Sequence, residues 1–194
     1  MVQETLRLFI AIELSKSLRD AIHALMEKLK VADSHASIRW VSYSDLHLTL
    51  KFLGEVPREN IASVEEAMKA AAEDKKAFEL SLSATGVFPN EQRPGVFWVG
   101  VKDDSQSLTE LAKSVIKECS SRGFSEETRP FSPHITVGRS RERADVKELT
   151  KIASILKYAN LRNESQIIDH IVLMWSQLTP RGPIYTPLSV STLN

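Results

Sequence analysis

Two short stretches decide the fold: HLTLKF at residues 47–52 and HITVGR at residues 134–139. Each begins with a histidine and has a threonine two residues later, and the second histidine follows the first by 87 positions. Because successive side chains of a strand point to opposite faces, His47 and Thr49 share one face, while the apolar residues beside them occupy the other. His134 and Thr136 are arranged in the same way. Each stretch is therefore predicted to be a strand with one buried and one polar face.

The elements around the two motifs predict an internal repeat. A strand at 6–14 and a helix from about residue 17 precede His47, and a strand at 96–101 and a helix from about residue 105 precede His134. Each motif is followed by another helix, the first opened by Pro57, and a strand at 78–86 is expected to close the first half. Two such units predict a bilobal α+β protein with a central groove, unless the alternation is coincidental.

Composition limits the classes of protein that this chain can belong to. A length of 194 residues suits one domain or two small lobes. The 25 Lys and Arg residues balance the 25 Asp and Glu residues, so the protein has no overall positive charge to attract nucleic acid. Any contact with RNA must therefore be local. Cys119 is the single cysteine, which excludes an internal disulfide, and the apolar N-terminal run is too short for a signal sequence or a membrane span. We expect a soluble, cytoplasmic protein.

The paired motifs suit acid–base chemistry at phosphorus. A histidine can donate or accept a proton near neutral pH, and a threonine hydroxyl can donate to a phosphate oxygen. Two imidazoles across one groove could activate a nucleophile and protonate a leaving oxygen, which suits a strained cyclic phosphate. A metal site is the alternative for paired histidines, but HxH, HxxxH and HExxH are missing and neither motif has a carboxylate on the histidine face. No metal or cofactor is expected.

HLTL and HITV match the paired HxTx motifs of the 2H phosphoesterases. With RLFIAIEL, IRWV, DLHLTLKFLGEV, GVFP and FSPHITVGR around them, the chain resembles the RNA 2′,3′-cyclic phosphodiesterase branch, once described as 2′-5′ RNA ligases. The resemblance implies one domain over residues 1–194, with two pseudo-symmetric lobes of antiparallel sheet, helices packed outside and a central cleft. It also implies metal-independent hydrolysis of a terminal 2′,3′-cyclic phosphate to a 2′-phosphate, and possible reversible 2′-5′ ligation.

The same resemblance assigns roles within the motifs. His47 is the proton donor to the departing 3′ oxygen, His134 is the proton acceptor, and Thr49 and Thr136 bind the phosphate. The symmetry of the two motifs does not by itself distinguish donor from acceptor. Partners are accordingly an RNA 3′ end or a small nucleotide carrying the cyclic phosphate, with no membrane and no obligate protein partner.

Several further residues are candidates for nucleotide binding. Arg139 resembles a family position near the nucleotide, but strict alternation places it opposite His134, so only a bulge or the end of the strand would bring it into the groove. Phe9 is either a ring for a base or a core residue, and Tyr185 either lines the groove or is an ordinary strand tyrosine. Lys51 continues the face of His47, as part of an anion site or as a rim lysine.

The remaining candidate residues can be explained by ordinary structural roles. The arginines at 139, 141 and 143 form a small basic patch, either a site for the RNA backbone or a solvated loop. The tryptophans at 40, 98 and 175 are expected in the core, and Cys119 as a buried thiol. Two other functions remain open for the chain: the same chemistry on another small cyclic nucleotide, or an RNA-end or nucleotide binding module without turnover.

Overall fold

The computed structural model describes residues 4–125, 130–180 and 182–194. The described part of the chain contains nine strands and four α-helices, with short 3₁₀ turns at Tyr43–Asp45 and Arg58–Asn60. The strands are β1 (Thr5–Glu13), β2 (Ile38–Trp40), β3 (His47–Pro57), β4 (Phe78–Phe88), β5 (Val96–Lys102), β6 (His134–Ser140), β7 (Ser165–Ile168), β8 (His170–Thr179) and β9 (Gly182–Thr192). The helices are α1 (Lys16–Ala32), α2 (Ile61–Ala72), α3 (Ser107–Ser121) and α4 (Val146–Lys157).

The helices form where the apolar spacing predicts them. Helix α1 begins directly after Ser15, whose side-chain oxygen accepts a hydrogen bond from the main-chain nitrogen of Leu18, and the predicted apolar stripe of α1 is buried. The predicted opening of α2 at Pro57 is wrong, because Pro57 ends β3 and a 3₁₀ turn separates it from Ile61. Proline fixes its own φ but does not decide which turn follows.

The strands form one sheet in the order β7-β4-β5-β6-β3-β1-β8-β9, with β2 paired to β6. All the pairings are antiparallel, and the sheet curls into a half-barrel, which confirms the α+β class and the pseudo-symmetric halves. The two halves meet at β3 and β6, the strands that carry His47 and His134.

The halves exchange strands, which the sequence did not predict. Strand β4 was expected to close the first half, but it pairs with β5 and β7 of the second half. Strand β8, from the second half of the chain, pairs with β1. The expectation for residues 78–86 was wrong because an apolar pattern identifies a strand but carries no information about its partner. Each half of the sheet therefore depends on both halves of the chain.

The main core lies between one face of the sheet and the helices. Cys119 on α3 is part of it, and burial raises the pKa of its thiol to about 11, as expected for an inert packed cysteine. The other face of the sheet, called here the groove face, carries a small separate cluster of Phe9, Ala11, Val172 and Met174. Functional side chains on this face therefore lie outside the main core.

A buried carboxylate joins the two halves beside β2. Glu148 of α4 accepts hydrogen bonds from the hydroxyls of Ser34 and Ser37 and from the main chain and ring of His35, all in the loop after α1. The hydrogen bond from Ser37, together with those from Ser34 and His35, lowers the pKa of Glu148 to about 2. This contact fixes the loop that leads into β2, and so fixes β2 against β6.

Candidate active site

The pairing of β3 with β6 brings the two HxTx motifs side by side. Leu48 lies opposite Ile135 in the antiparallel ladder, and both side chains are 0% exposed in the main core. Their neighbours in each strand therefore point to the groove face. His47, Thr49, His134 and Thr136 are all half-buried there. The structure thus places the four residues predicted from the sequence on one surface, two from each half of the chain.

Both histidine rings are held by the same kind of hydrogen bond. Nδ1 of His47 lies 2.6 Å from the main-chain oxygen of Asp45, and Nδ1 of His134 lies 2.7 Å from that of Ser132. A carbonyl oxygen can only accept, so Nδ1 carries a hydrogen in both rings and donates it. Nε2 lies on the other side of each imidazole, and no hydrogen bond from the described residues occupies it.

Aromatic rings surround His47. The ring centroid of Phe9 lies 4.9 Å from that of His47, and the ring centroid of Tyr185 lies 5.1 Å from it in an edge arrangement. Burial among these groups lowers the pKa of His47, because a desolvated imidazole disfavours its charged form. The predicted groove position of Tyr185 is therefore supported by its contact with His47. Phe9 is 2% exposed, so its ring packs beneath His47 and offers no free face to a base.

A cavity of about 420 Å³ opens beside His47, lined by Phe9, Tyr185, Arg19 and Asp45 among others. This volume lies in the range of small-molecule sites. Burial, followed by the negative charge of Asp45, raises the pKa of the Tyr185 hydroxyl. The hydroxyl therefore keeps its proton at neutral pH and can donate a hydrogen bond.

His134 has its own aromatic neighbours, which the sequence did not single out. The ring of Phe88 lies edge-on with its centroid 5.1 Å from that of His134, and the indole of Trp98 lies 6.5 Å away. Trp98 was expected in the core, yet it is half-buried on the groove face. Gly86 makes this possible, because a Cβ there would approach the indole to 2.4 Å. Strand β5 is apolar on both faces, so its alternation does not show which face meets the core.

A bulge in β3 corrects the prediction for Lys51. The register of β3 against β1 shifts between the pairs Thr49–Ala11 and Lys51–Ile10, so one extra residue of β3 interrupts the alternation. Lys51 is consequently 3% exposed on the core side, where its ammonium donates to the main-chain oxygen of Ser125 at 2.6 Å. Lys51 is neither part of an anion site beside His47 nor a rim lysine. Phe52 takes the place on the groove face instead, 56% exposed.

A matching bulge in β6 brings Arg139 to the groove face. The register of β6 against β5 shifts between Thr136–Trp98 and Gly138–Phe97, and Phe97 is fully buried in the core. Gly138 therefore faces the core and the exposed Arg139 faces the groove. Strict alternation would have placed Arg139 opposite His134, and this bulge is what brings it to the groove face. The positive charge of Arg139 also acts, after burial, to lower the pKa of His47.

Within residues 4–125, 130–180 and 182–194, His, Cys, Asp and Glu form no group of three or more that could hold a metal ion. None of the helices in the same ranges has the length and apolar character needed to cross a bilayer.

The sequence model of the LigT-like phosphoesterase family matches residues 12–98 and, a second time, residues 99–185. The chain belongs to the LigT-like phosphoesterase family. His47 and His134 each lie 35 positions after the first residue of their match (12 to 47 and 99 to 134). The repeated match agrees with the pseudo-symmetry of the sheet, since each copy contributes one HxTx strand.

Relatives of known name and structure cover nearly the whole chain. The RNA 2′,3′-cyclic phosphodiesterase of Methanothermobacter thermautotrophicus is 34% identical over 187 residues, which cover 96% of this chain and 98% of the relative. The crystal structure of TT0787 from Thermus thermophilus has a TM-score of 0.79 at 27% identity, covering 96% of this chain and 97% of that one. Escherichia coli LigT complexed with 3′-AMP has a TM-score of 0.74 at 26% identity, covering 98% and 99%.

Proposed function

We propose that this protein hydrolyses the 2′,3′-cyclic phosphate at the 3′ end of RNA to a 2′-phosphate, without a metal. One observation carries the proposal: two HxTx strands lie side by side, and each histidine is held through Nδ1 while no other described residue hydrogen-bonds to its Nε2. The relatives named RNA 2′,3′-cyclic phosphodiesterase support the choice of substrate. The complex of E. coli LigT with 3′-AMP supports a nucleotide as the class of ligand.

The reaction needs a base on one side of phosphorus and an acid on the other. Nε2 of His134 takes a proton from water as the water oxygen attacks phosphorus, and the bond from phosphorus to the 3′ oxygen breaks. Nε2 of His47 gives its proton to that departing oxygen, so the product is a 2′-phosphate with a free 3′ hydroxyl. The direction of these roles follows from the family resemblance. Exchange of protons with solvent restores both rings.

The environment of His47 fits a proton donor once the substrate is bound. Burial lowers the pKa of His47 in the free protein, so the ring releases its proton more readily than an ordinary histidine. A phosphate anion bound beside the ring favours the charged imidazolium, and therefore raises the pKa of His47 when the substrate is bound. The hydroxyls of Thr49 and Thr136 can donate to the same phosphate and keep it between the rings.

The two histidines come from different halves of the chain, and strands are exchanged between the halves. We therefore propose that residues 1–194 work as one domain. A cytoplasmic location is part of the same proposal and is supported by the buried, inert thiol of Cys119.

The decisive test is turnover of an RNA oligonucleotide with a terminal 2′,3′-cyclic phosphate in the presence of excess chelator, with identification of the product isomer. The proposal expects a 2′-phosphate at an unchanged rate. A 3′-phosphate product would mean that the 2′ oxygen departs, and would overturn the assignment of the 3′ oxygen as the leaving group. Binding without turnover would make the protein an RNA-end binding module, and loss of activity with chelator would overturn the metal-independent mechanism.

A further inference from the structure

Phe88, Trp98 and His134 bring three rings together on the groove face, called here the ring cluster. The ring centroid of Phe88 lies 5.2 Å from that of Trp98, with an angle of 31° between the planes. The imidazole of His134 lies 5.1 Å from Phe88 in an edge arrangement and 6.5 Å from the indole. Phe88 is thus nearer to each of the other rings than they are to one another. It connects the indole to the imidazole.

The indole occupies a recess made by two glycines. Gly86 of β4 is the ladder partner of Trp98, and Gly100 of β5 is the ladder partner of His134. A Cβ on Gly86 would lie 2.4 Å from Cζ2 and 2.7 Å from Cη2 of the indole, and a Cβ on Gly100 would lie 3.3 Å from Cζ3. The indole is rigid, so a side chain on Gly86 would push it out of the recess. The position of Trp98 therefore depends on the absence of a Cβ at Gly86.

The indole is kept at a cost in hydrogen bonding. Nε1 of Trp98 is buried, and no described residue accepts its hydrogen. A buried indole normally has an acceptor, because an unpaired N–H has lost its contact with water and gained nothing in return. The other half of the sheet is built differently, since Ala11 is the ladder partner of Thr49. Trp98 takes the equivalent place opposite Thr136. The indole is therefore a feature of the His134 side, and packing alone does not account for it.

We propose that Trp98 is a positioning residue for His134. This inference rests on the proposed function, in which His134 takes a proton from the attacking water. The hydrogen bond from Nδ1 to the main-chain oxygen of Ser132 holds one atom of the imidazole, and the ring can still turn about that contact. Phe88 limits this turning from the side, and the indole holds Phe88 in place. Because proton transfer depends on distance and angle, the base acts at full rate only while the ring cluster is intact.

The test removes the indole from the recess in two ways. Gly86→Ala displaces it and Trp98→Ala deletes it, and each should lower kcat on an RNA with a terminal 2′,3′-cyclic phosphate about 10- to 100-fold while KM stays within about twofold. Adding Trp98→Phe to Gly86→Ala should restore most of kcat. Phenylalanine lacks Cζ2 and Cη2, the atoms closest to the new methyl group, and its ring still supports Phe88. In a crystal structure of Trp98→Ala, the imidazole of His134 should be turned from its present orientation.

Trp175→Ala is the matched control and should leave kcat unchanged. Trp175 is half-buried on β8 and packs against the main core, and it is not among the rings that contact His47 or His134 in the described residues. Near-normal kcat in Trp98→Ala, a loss expressed only in KM, or no recovery in the double variant would overturn the positioning role while leaving the proposed function intact. If Gly86→Ala does not fold, Trp98→Ala decides. A wild type without turnover would instead overturn the proposed function, and the orientation of His134 in the Trp98→Ala crystal would then test the positioning role.

Discussion

Leu48 of β3 lies directly opposite Ile135 of β6, and both side chains are completely buried. The pairing places His47 and His134 one residue away on the other face of the sheet, related by a pseudo-two-fold axis between the strands. The separation of the two catalytic candidates is therefore set by main-chain geometry, which varies little.

Replacing either histidine should abolish most of the activity. His47→Ala and His134→Ala should each lower kcat/KM on the cyclic phosphate by about 10²–10⁴-fold, because a positioned acid or base contributes about this factor. Circular dichroism should show an unchanged fold, since both rings are only half-buried on the groove face. His23→Ala on α1, whose ring lies 3.5 Å from Glu27 at the surface, is the control and should keep full activity. A near-normal rate in either test variant would reject the acid–base roles.

Removing the threonine hydroxyls should weaken stabilisation of the phosphate. Thr49→Val and Thr136→Val keep the shape of the side chain but lose a donor to a charged group, worth about 1.5–3 kcal/mol, so kcat/KM should fall about 10- to 150-fold. Thr49→Ser and Thr136→Ser retain the hydroxyl and should keep most of the activity. Activity that is kept in the valine variants and lost in the serine variants would indicate that the methyl group, and not the hydroxyl, matters.

The titration of His47 should depend on Phe9. Burial lowers the pKa of His47, so NMR titration of the free protein should place it below the ordinary histidine value of about 6.5. Phe9→Ala admits water beside the ring and should therefore move the pKa of His47 upwards, because hydration favours the charged form. Phe88→Ala, beside His134, is the matched control and should leave the titration of His47 unchanged. No difference between the two variants would show that Phe9 does not desolvate the ring.

Glu148 should make stability depend on pH in the acid range. Its folded-state pKa of about 2 lies below the ordinary value of 4.5. The unfolded chain therefore binds the proton more readily, and the stabilisation, fully present above about pH 4.5, is lost as the pH falls towards 2. Urea unfolding of Glu148→Gln should show a lower free energy of unfolding than wild type at pH 7 and a smaller decrease on acidification.

Glu142→Gln provides the control for that experiment. Glu142 is an exposed carboxylate in the turn before α4, so this variant removes the same charge without touching the buried contacts of Glu148. It should unfold like wild type across the whole pH range. A parallel pH dependence of wild type and Glu148→Gln would show that other groups control the acid unfolding.

The sequence alone determined the features that depend on local periodicity. Alternation within HLTL and HITV gave each histidine and threonine a common face, and the 3.6-residue spacing identified the buried stripe of α1. The family resemblance added the roles of His47 and His134, which the symmetry of the motifs leaves open. These predictions needed no knowledge of which strands become neighbours.

The tertiary structure decided everything that depends on strand partners. A bulge is a mismatch between two strands, so the burial of Lys51 and the groove position of Arg139 could not be read from one strand alone. The exchange of β4 and β8, the rings of Phe88 and Trp98 beside His134, and the placement of Arg39 opposite Arg139 all depend on the same long-range register. The local sequence pattern assigns each side chain to one of the two faces of its strand. The neighbouring strands determine which other side chains lie beside it on that face.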